Sequence, residues 1–458
     1  MDQKRSGSEK RSGELRSPWA RSDRFVPRVV LRPVQEFLQA STSSGLILLA
    51  AVLAALLWAN LGTSYERIWQ TSLSVSLGDF RLDGDLRFWV SESLMTIFFL
   101  VAGLEIKREV LVGELRGLRR AALPILSALG GMIVPALLFV AVVDGPAERA
   151  WGAAMPTDVA VTLGVLALAG RRVPAGLATF LLALALVDDI ATIVVLAAFY
   201  SAGLSATPLV VAVLAVGAIV VAERSHVRTG VIYVGLGICL WLGLEEGGVH
   251  PALAGAILGF LAPVHPFQPP AAVSEEARRT ADHTTDHPAT PDEDLPAWLR
   301  LAWLAREAVA PLARLEHTLV PWSSYVVLPL FVLANVGVTL SGGALAAAAA
   351  EPLVPALVLT RLVGKVVGVV GVSWLAVRVG LGHLPEGVGW VHMIGGAVAT
   401  AIAFTVSLFV VEIALPGTPE LVSAAKIAII ASGLVCGGAA IAILRIASPR
   451  RPSFGPSG

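Results

Sequence analysis

Three aspartates and one lysine stand where charge is otherwise scarce. Asp158 lies in Ala-Met-Pro-Thr-Asp-Val, Asp188 and Asp189 are adjacent in Leu-Val-Asp-Asp-Ile, and Lys365 lies in Leu-Val-Gly-Lys-Val-Val-Gly. An ionisable group within an apolar membrane span costs about 3 kcal/mol or more, so each one needs a partner or a task. Neighbouring positions on a helix point about 100° apart, so the adjacent pair cannot reach an interface by one snorkelling route, and residues 175–187 and 190–199 around it are apolar. An ionised carboxylate offers hard oxygen ligands to a small cation, and a protonated one withdraws them. Two coupled carboxylates therefore hold protons or a cation but not both, and that competition is sufficient for exchange. Three acids against Lys365 leave the site negative.

Composition says what must position these groups. Of 458 residues, 15% are charged, against about 25% in ordinary soluble chains, and 55% are hydrophobic. Mean hydropathy is +0.75. The charges also cluster, with 9 basic and 4 acidic groups in residues 1–32, and 5 basic and 9 acidic in residues 264–318. The rest has the charge density of membrane-spanning helices on short loops, which excludes a soluble enzyme. Net charge is zero, so nothing draws the chain to nucleic acid. Cys239 and Cys436, each in an apolar run, support neither a disulfide framework nor a cysteine metal site. No cofactor is implied.

The fold class expected is an all-α polytopic membrane protein. Twelve apolar segments are legible: about 45–61, 90–104, 121–143, 151–170, 175–200, 207–222, 230–244, 249–263, 321–340, 352–377, 390–415 and 421–444. Twelve spans put both termini on one side, and 27 of the 34 Lys and Arg residues then collect there, which makes that side cytoplasmic. Arg67, Arg81, Arg87 and Arg149 fall on the other side, with Arg361 and Lys426 near its rim. The domains follow: a disordered cytoplasmic tail over 1–35, a transmembrane unit over 36–446 and a cytoplasmic tail over 447–458. A short surface helix is expected near Val34–Ala40. The long cytoplasmic loop at 264–318 is expected to be flexible in its first half. His283 and His287, four apart beside Asp282 and Asp286, would suit a divalent metal on a helix, but Pro288 and the surrounding composition favour a solvated loop. Alternating Leu73, Val75 and Leu77 before a Gly-Asp turn predict a small periplasmic β-hairpin over Ser72 to Leu82, whose edge is a candidate dimer contact.

Two spans carry disturbances. Pro156 removes a backbone donor in the fourth, just before Thr157 and Asp158, and the eleventh holds Gly395, Gly396, Thr400, Thr405 and Ser407. Interrupted helices at corresponding places in two halves point to inverted repeats with a site near the midplane. Gly103-Leu-Glu-Ile-Lys-Arg-Glu109 and Arg314-Leu-Glu-His317 form charged clusters at the cytoplasmic mouth. These read either as interfacial salt bridges or as a titrating network.

Together these residues resemble the NhaA family of bacterial sodium/proton antiporters over about residues 38–446. The likeness is carried by Phe98–Glu109, Gly130–Ala136, Thr157-Asp158, Leu163–Leu168, Asp188-Asp189, Arg314–His317, Gly364-Lys365, His383–Gly387 and Phe404–Phe409. The family is among the transporters that define the inverted-repeat pattern, so that architecture is implied by the resemblance and is not an independent deduction. The resemblance implies an electrogenic secondary carrier in the bacterial plasma membrane, exporting one Na⁺ or Li⁺ for about two protons. It makes Asp188 and Asp189 the cation and proton site. It pairs Lys365 with Asp188, as proton carrier or counter-ion, and puts Thr157 and Asp158 where the broken helices cross. Glu105, Arg108, Glu109, Glu316 and His317 match a pH-sensing mouth, Glu92 holds an acidic position before it, and His250 matches a histidine linked to pH response. The partners expected are Na⁺, Li⁺, H⁺, membrane lipid and a second copy of the chain. This chain departs from the family in the closeness of Pro156 to Asp158, in Ala401-Ile-Ala403 in place of Gly-Ile-Gly, and in Ala313 where a basic residue can stand.

Two other classes need acids in spans. An intramembrane aspartyl protease would use Asp158 with Asp188 or Asp189, but its Gly-x-Gly-Asp context is absent and it has no need of Lys365. A passive cation channel would keep acids in its pore without coupling them to protons.

Overall fold

The structure, a computed structural model, describes residues 43–447 except 78–79, 114–116, 171–172, 202, 228 and 287–290. The amino-terminal tail, the helix expected near residues 34–40, His287 and nearly all of the carboxyl tail lie outside the described residues. In chain order the elements are α1 (Ser43–Leu61), α2 (Ser64–Trp69), β1 (Ser72–Leu77), β2 (Phe80–Asp85), α3 (Leu86–Leu111) and α4 (Leu118–Val142). A 3₁₀ helix (Gly145–Ala154) then precedes α5 (Val159–Ala169), α6 (Ala175–Phe199), α7 (Ala206–Arg224), α8 (Gly230–Glu245) and α9 (Leu253–Leu261). The last elements are α10 (Pro270–Asp286), α11 (Pro291–Glu307), α12 (Pro311–Asn335), α13 (Gly342–Ala350), α14 (Leu353–Val379), α15 (Trp390–Thr400), α16 (Thr405–Ala414) and α17 (Pro419–Ala447).

Among the described residues, eight helices are long and apolar enough to cross a membrane: α1, α3, α4, α6, α7, α12, α14 and α17. Two bent pairs raise this to as many as ten. The 3₁₀ helix and α5 meet at 59°, and α15 and α16 meet at 47°. The segments read as spans at about 230–244 and 249–263 form helices of 16 and 9 residues, short for a hydrocarbon core of about 30 Å. The result is a multi-pass, all-α membrane protein. Its outward surface is apolar, as in Leu53, Val213 and Val231, because lipid replaces water as the solvent there.

Helices approach closely where small residues face one another. Gly255 and Gly259 of α9 lie against the backbone of α3 at Thr96 and Leu100, and Gly364 and Gly368 of α14 lie against Pro135 and Gly130 of α4. No side chain could be added at these positions without displacing a neighbour, so helix contact here rests on backbone packing. α14 also contains two π-helical turns, Thr360–Gly364 and Val367–Gly371, on either side of Lys365. Such turns often occur at functional positions. Gly380, at φ 81, ends α14 in the left-handed conformation that glycine adopts without strain.

The hairpin strands pair antiparallel, with Ser72 opposite Asp85 and Leu77 opposite Phe80, so the second strand runs three residues beyond the Leu82 expected. Asp85 then caps α3, accepting from the backbone N–H of Phe88 at 2.7 Å. Beside it the buried Tyr65 donates to the carbonyls of Leu333 (3.0 Å) and Ala334 (2.8 Å) and accepts from the N–H of Gly337 (3.0 Å), closing the end of α12. Burial pushes its phenol up to about 12, so it remains a donor.

The insertion at 264–318 differs from the flexible loop expected. Its first half is helix α10, begun by Pro270, supported by a Glu275–Arg279 pair one turn apart at 3.3 Å, and held by the buried Val273. A polar composition hid an amphipathic helix that has α11 to pack against.

Candidate functional site

The two bent pairs cross at the centre of the molecule. Residues 152–158 and 395–411 are all buried, so every polar backbone group freed by the breaks needs a protein partner. The N–H of Asp158 donates to the carbonyl of Ile402 at 3.1 Å, Thr162 Oγ1 donates to the carbonyl of Ala399 at 3.2 Å, and Ser407 Oγ donates to the carbonyl of Ala153 at 3.0 Å. Asp158 caps α5, accepting from the N–H of Val161 at 3.4 Å, and also accepts from Thr405 Oγ1 at 3.1 Å at the start of α16. One carboxylate thus faces the positive ends of two half-helices, which stabilises both termini. Pro156 explains the first break, and the second follows without the family's flanking glycines.

Asp188 and Asp189 lie midway along α6. Lys365 Nζ reaches Asp188 Oδ2 at 3.0 Å and Thr157 Oγ1 at 2.9 Å, and both charged side chains are 1% exposed. Thr157 Oγ1 and Asp188 Oδ2 thus both accept from the one ammonium group. Asp188 Oδ1 is buried without a partner. The partly buried Asp189 takes no hydrogen bond or ion pair from any described residue, while the charges of Asp188, Asp158 and Glu105 all act on it. The structure therefore gathers all five residues Thr157, Asp158, Asp188, Asp189 and Lys365 around one crossing. No group of three or more His, Cys, Asp or Glu side chains suited to a resident metal exists among the described residues.

Arg361 corrects the sequence reading. Expected near a membrane rim, it is 0% exposed, donating to the carbonyl of Ala403 at 2.9 Å, Ser407 Oγ at 2.6 Å and Ser432 Oγ at 3.2 Å. It sits one turn before Lys365 and fastens the break between α15 and α16. Its charge changes the balance, since Arg361 and Lys365 together offset two of the three aspartates and leave one negative charge uncompensated. Its position four before a buried lysine was the available signal. Lys426, expected near the rim, is buried within the protein and pairs with Glu412 at 2.5 Å.

The mouth residues come together only in part. Arg108 bridges Glu316 (2.5 Å) and Glu109 (3.0 Å), and Glu105, one turn back, feels all three charges. His317 is exposed with no described partner. Glu92 belongs elsewhere: 13 residues before Glu105 on α3, it is about 20 Å away along the helix axis and lies 3.4 Å from His250 Nε2. The His250 ring packs edge-on against Phe409 of α16 at 4.7 Å between centroids. Glu245, unmarked in the sequence reading, is close enough to act on both Glu92 and His250.

The sequence profile of the family described as Na⁺/H⁺ antiporter 1 matches residues 35–444. The chain belongs to this family of Na⁺/H⁺ antiporters. Its relatives include proteins named Na⁺/H⁺ antiporter NhaA 2 in Sorangium cellulosum (strain So ce56), 40% identical over 430 residues and 92% of each chain, and Na⁺/H⁺ antiporter NhaA in Anaeromyxobacter sp. (strain Fw109-5), 41% identical over 440 residues, 93% of this chain and 94% of the relative. The NhaA of Bordetella petrii (strain ATCC BAA-461 / DSM 12804 / CCUG 43448) is 39% identical over 423 residues, 90% of this chain and 89% of its own. The family is one of antiporters and not of catalytic enzymes.

Proposed function

We propose that the chain is an electrogenic, pH-regulated antiporter of the bacterial plasma membrane that exports one Na⁺ or Li⁺ for about two protons, serving sodium and pH homeostasis. The observation that carries this reading is the unbonded Asp189 beside the buried Lys365–Asp188 pair, at the crossing of two broken helices. With Arg361 and Lys365 charged, the core holds one excess negative charge, which one monovalent cation neutralises. Protons arriving at Asp188 and Asp189 compete for the same oxygens, so entry of protons releases the cation. Thr157 and Asp158 keep the broken helices in register, and Lys365 serves as proton carrier or counter-ion.

The remaining parts of the reading follow the family. Twelve spans in inverted repeats, with α8 and α9 as two of them, put both termini in the cytoplasm. Glu105, Arg108, Glu109, Glu316 and His317 form a pH-sensing mouth, with Glu92 and His250 a second titrating pair. Two copies join edge to edge through the hairpin, in contact with membrane lipid. The test is proton movement in everted vesicles energised by respiration, with Na⁺, Li⁺ or K⁺ added across a range of pH. Dequenching by Na⁺ or Li⁺ in the wild type, lost in Asp188→Asn and Asp189→Asn while both variants remain in the membrane, is the expected result. Normal turnover in both variants overturns the site assignment, and flux that survives collapse of the proton gradient favours a channel.

A further inference from the structure

One further group at this crossing has no task in the scheme above. Thr192 lies on α6 one turn beyond the aspartate pair, 4% exposed, and its hydroxyl has no hydrogen-bond partner. That is unusual for its type. Hydroxyls within helices ordinarily return their proton to the carbonyl four residues back. Thr179 (3.4 Å) on α6 itself does so, as do Thr96 (2.7 Å), Ser127 (2.6 Å) and Ser373 (2.6 Å) in other spans. Thr192 does not, although the carbonyl it passes over is that of Asp188.

Positions three and four apart on a helix share a face, with Cβ atoms about 5–6 Å apart. Thr192 is four from Asp188 and three from Asp189. Asp188 Oδ2 is occupied by Lys365, whereas Oδ1 is buried and unpartnered, and Asp189 is unbonded. Within about 100° around α6, Asp188 Oδ1, the Asp189 carboxylate and Thr192 Oγ1 thus stand with nothing in the described protein to satisfy them. A buried oxygen of this kind is costly unless a ligand completes it.

We propose that Thr192 Oγ1 is a direct ligand of the transported cation, together with Asp188 Oδ1 and the carboxylate of Asp189. The inference rests on the assignment of the aspartate pair as the transport site and adds a neutral member to it. A hydroxyl contributes a hard oxygen without another negative charge, so the loaded site stays electrically neutral. When protons displace the cation, the same hydroxyl turns and donates to a neighbouring oxygen, so the emptied site keeps its polar groups satisfied.

The experiment compares wild type, Thr192→Val, Thr192→Ser and Thr192→Ala in everted vesicles, titrating Na⁺ and Li⁺ at fixed pH, with membrane content measured for each. Thr192→Val keeps the shape of the side chain and removes the oxygen. It should raise the half-maximal concentration of both cations about tenfold (1.4 kcal/mol) with maximal rate within twofold. Thr192→Ser, which restores the hydroxyl, should return it to within threefold of wild type. Na⁺-dependent thermal stabilisation of the purified variants reads binding without transport and should follow the same order. Unchanged half-maximal concentrations in Thr192→Val and Thr192→Ala overturn the proposal. So does a Thr192→Ser variant as impaired as Thr192→Val, which would make the residue a packing element, and so does a loss confined to maximal rate. A wild type with no Na⁺ or Li⁺ response would overturn the parent assignment and this inference with it, whereas a responding wild type with unchanged Thr192 variants overturns this inference alone.

Discussion

Replacing Lys365 with methionine tests the centre of the site, because it keeps most of the side-chain volume and removes only the charge. The lysine is 3.0 Å from Asp188 Oδ2 and 2.9 Å from Thr157 Oγ1, with both ion-pair partners 1% exposed. Removing one member of such a pair leaves a carboxylate buried without compensation, at a cost of about 3–5 kcal/mol. An unfolding entropy of about 2.1 cal/mol/K per residue over roughly 400 residues gives about 0.8 kcal/mol/K, so the melting midpoint should fall by about 4–6 °C. The assay is thermal melting of the purified protein in detergent at pH 8. Asp188→Asn combined with Lys365→Met should recover much of the loss, since a neutral pair has no charge to strand, giving a coupling energy of roughly 2–3 kcal/mol. A Lys365→Met midpoint within about 1 °C of wild type, or additive losses in the double variant, would refute the reasoning. Transport currents on supported membranes then divide the two roles open to Lys365. Retained current makes it a counter-ion, and exchange without current makes it a charge carrier.

Arg361→Met should destabilise the protein by about 1–3 kcal/mol by leaving the Ala403 carbonyl short of a donor, and Arg361→Lys should recover part of this; equal melting of all three proteins would remove Arg361 from the helix break. Tyr65→Phe strips the hydroxyl that closes the end of α12, for an expected loss of about 1–3 kcal/mol on melting at pH 8. Because burial raises the folded phenol to about 12, above its unfolded value near 10, its contribution is fully present below pH 10 and is lost as pH rises from there toward 12. Wild type but not Tyr65→Phe should show that decline. Deletion of residues 72–82 should lower the dimer fraction on native gels with the monomer still inserted, and unchanged dimer content would exclude the hairpin as the contact.

Much was legible in the residues themselves. Scarcity of charge specified a membrane protein, because a hydrocarbon solvent admits few ionised groups, and the same scarcity singled out Asp158, Asp188, Asp189 and Lys365 as candidate site residues. Pro156 announced its helix break through local chemistry, since a missing N–H disrupts a helix whatever surrounds it. The hairpin was equally local, resting on alternation and a turn.

Other features depended on which segments meet. Arg361 reads as a rim charge because depth in a membrane cannot be counted from one helix end when the helix carries two π-helical turns and packs against the second helix break. Glu92 and Glu105, thirteen residues apart on one helix, belong to different clusters because a helix separates along its axis what sequence places near. The helix at 270–286 was hidden because its stability comes from a partner helix and not from its own composition. The sequence by itself determined the solvent and the family, and it singled out the four charged residues of the proposed transport site. The tertiary structure alone decided that Arg361 fastens the second helix break and that Thr192 stands unsatisfied beside the aspartates. Hydrogen bonding and charge compensation act between atoms within a few ångströms, and at this site those atoms come from residues as many as 254 positions apart.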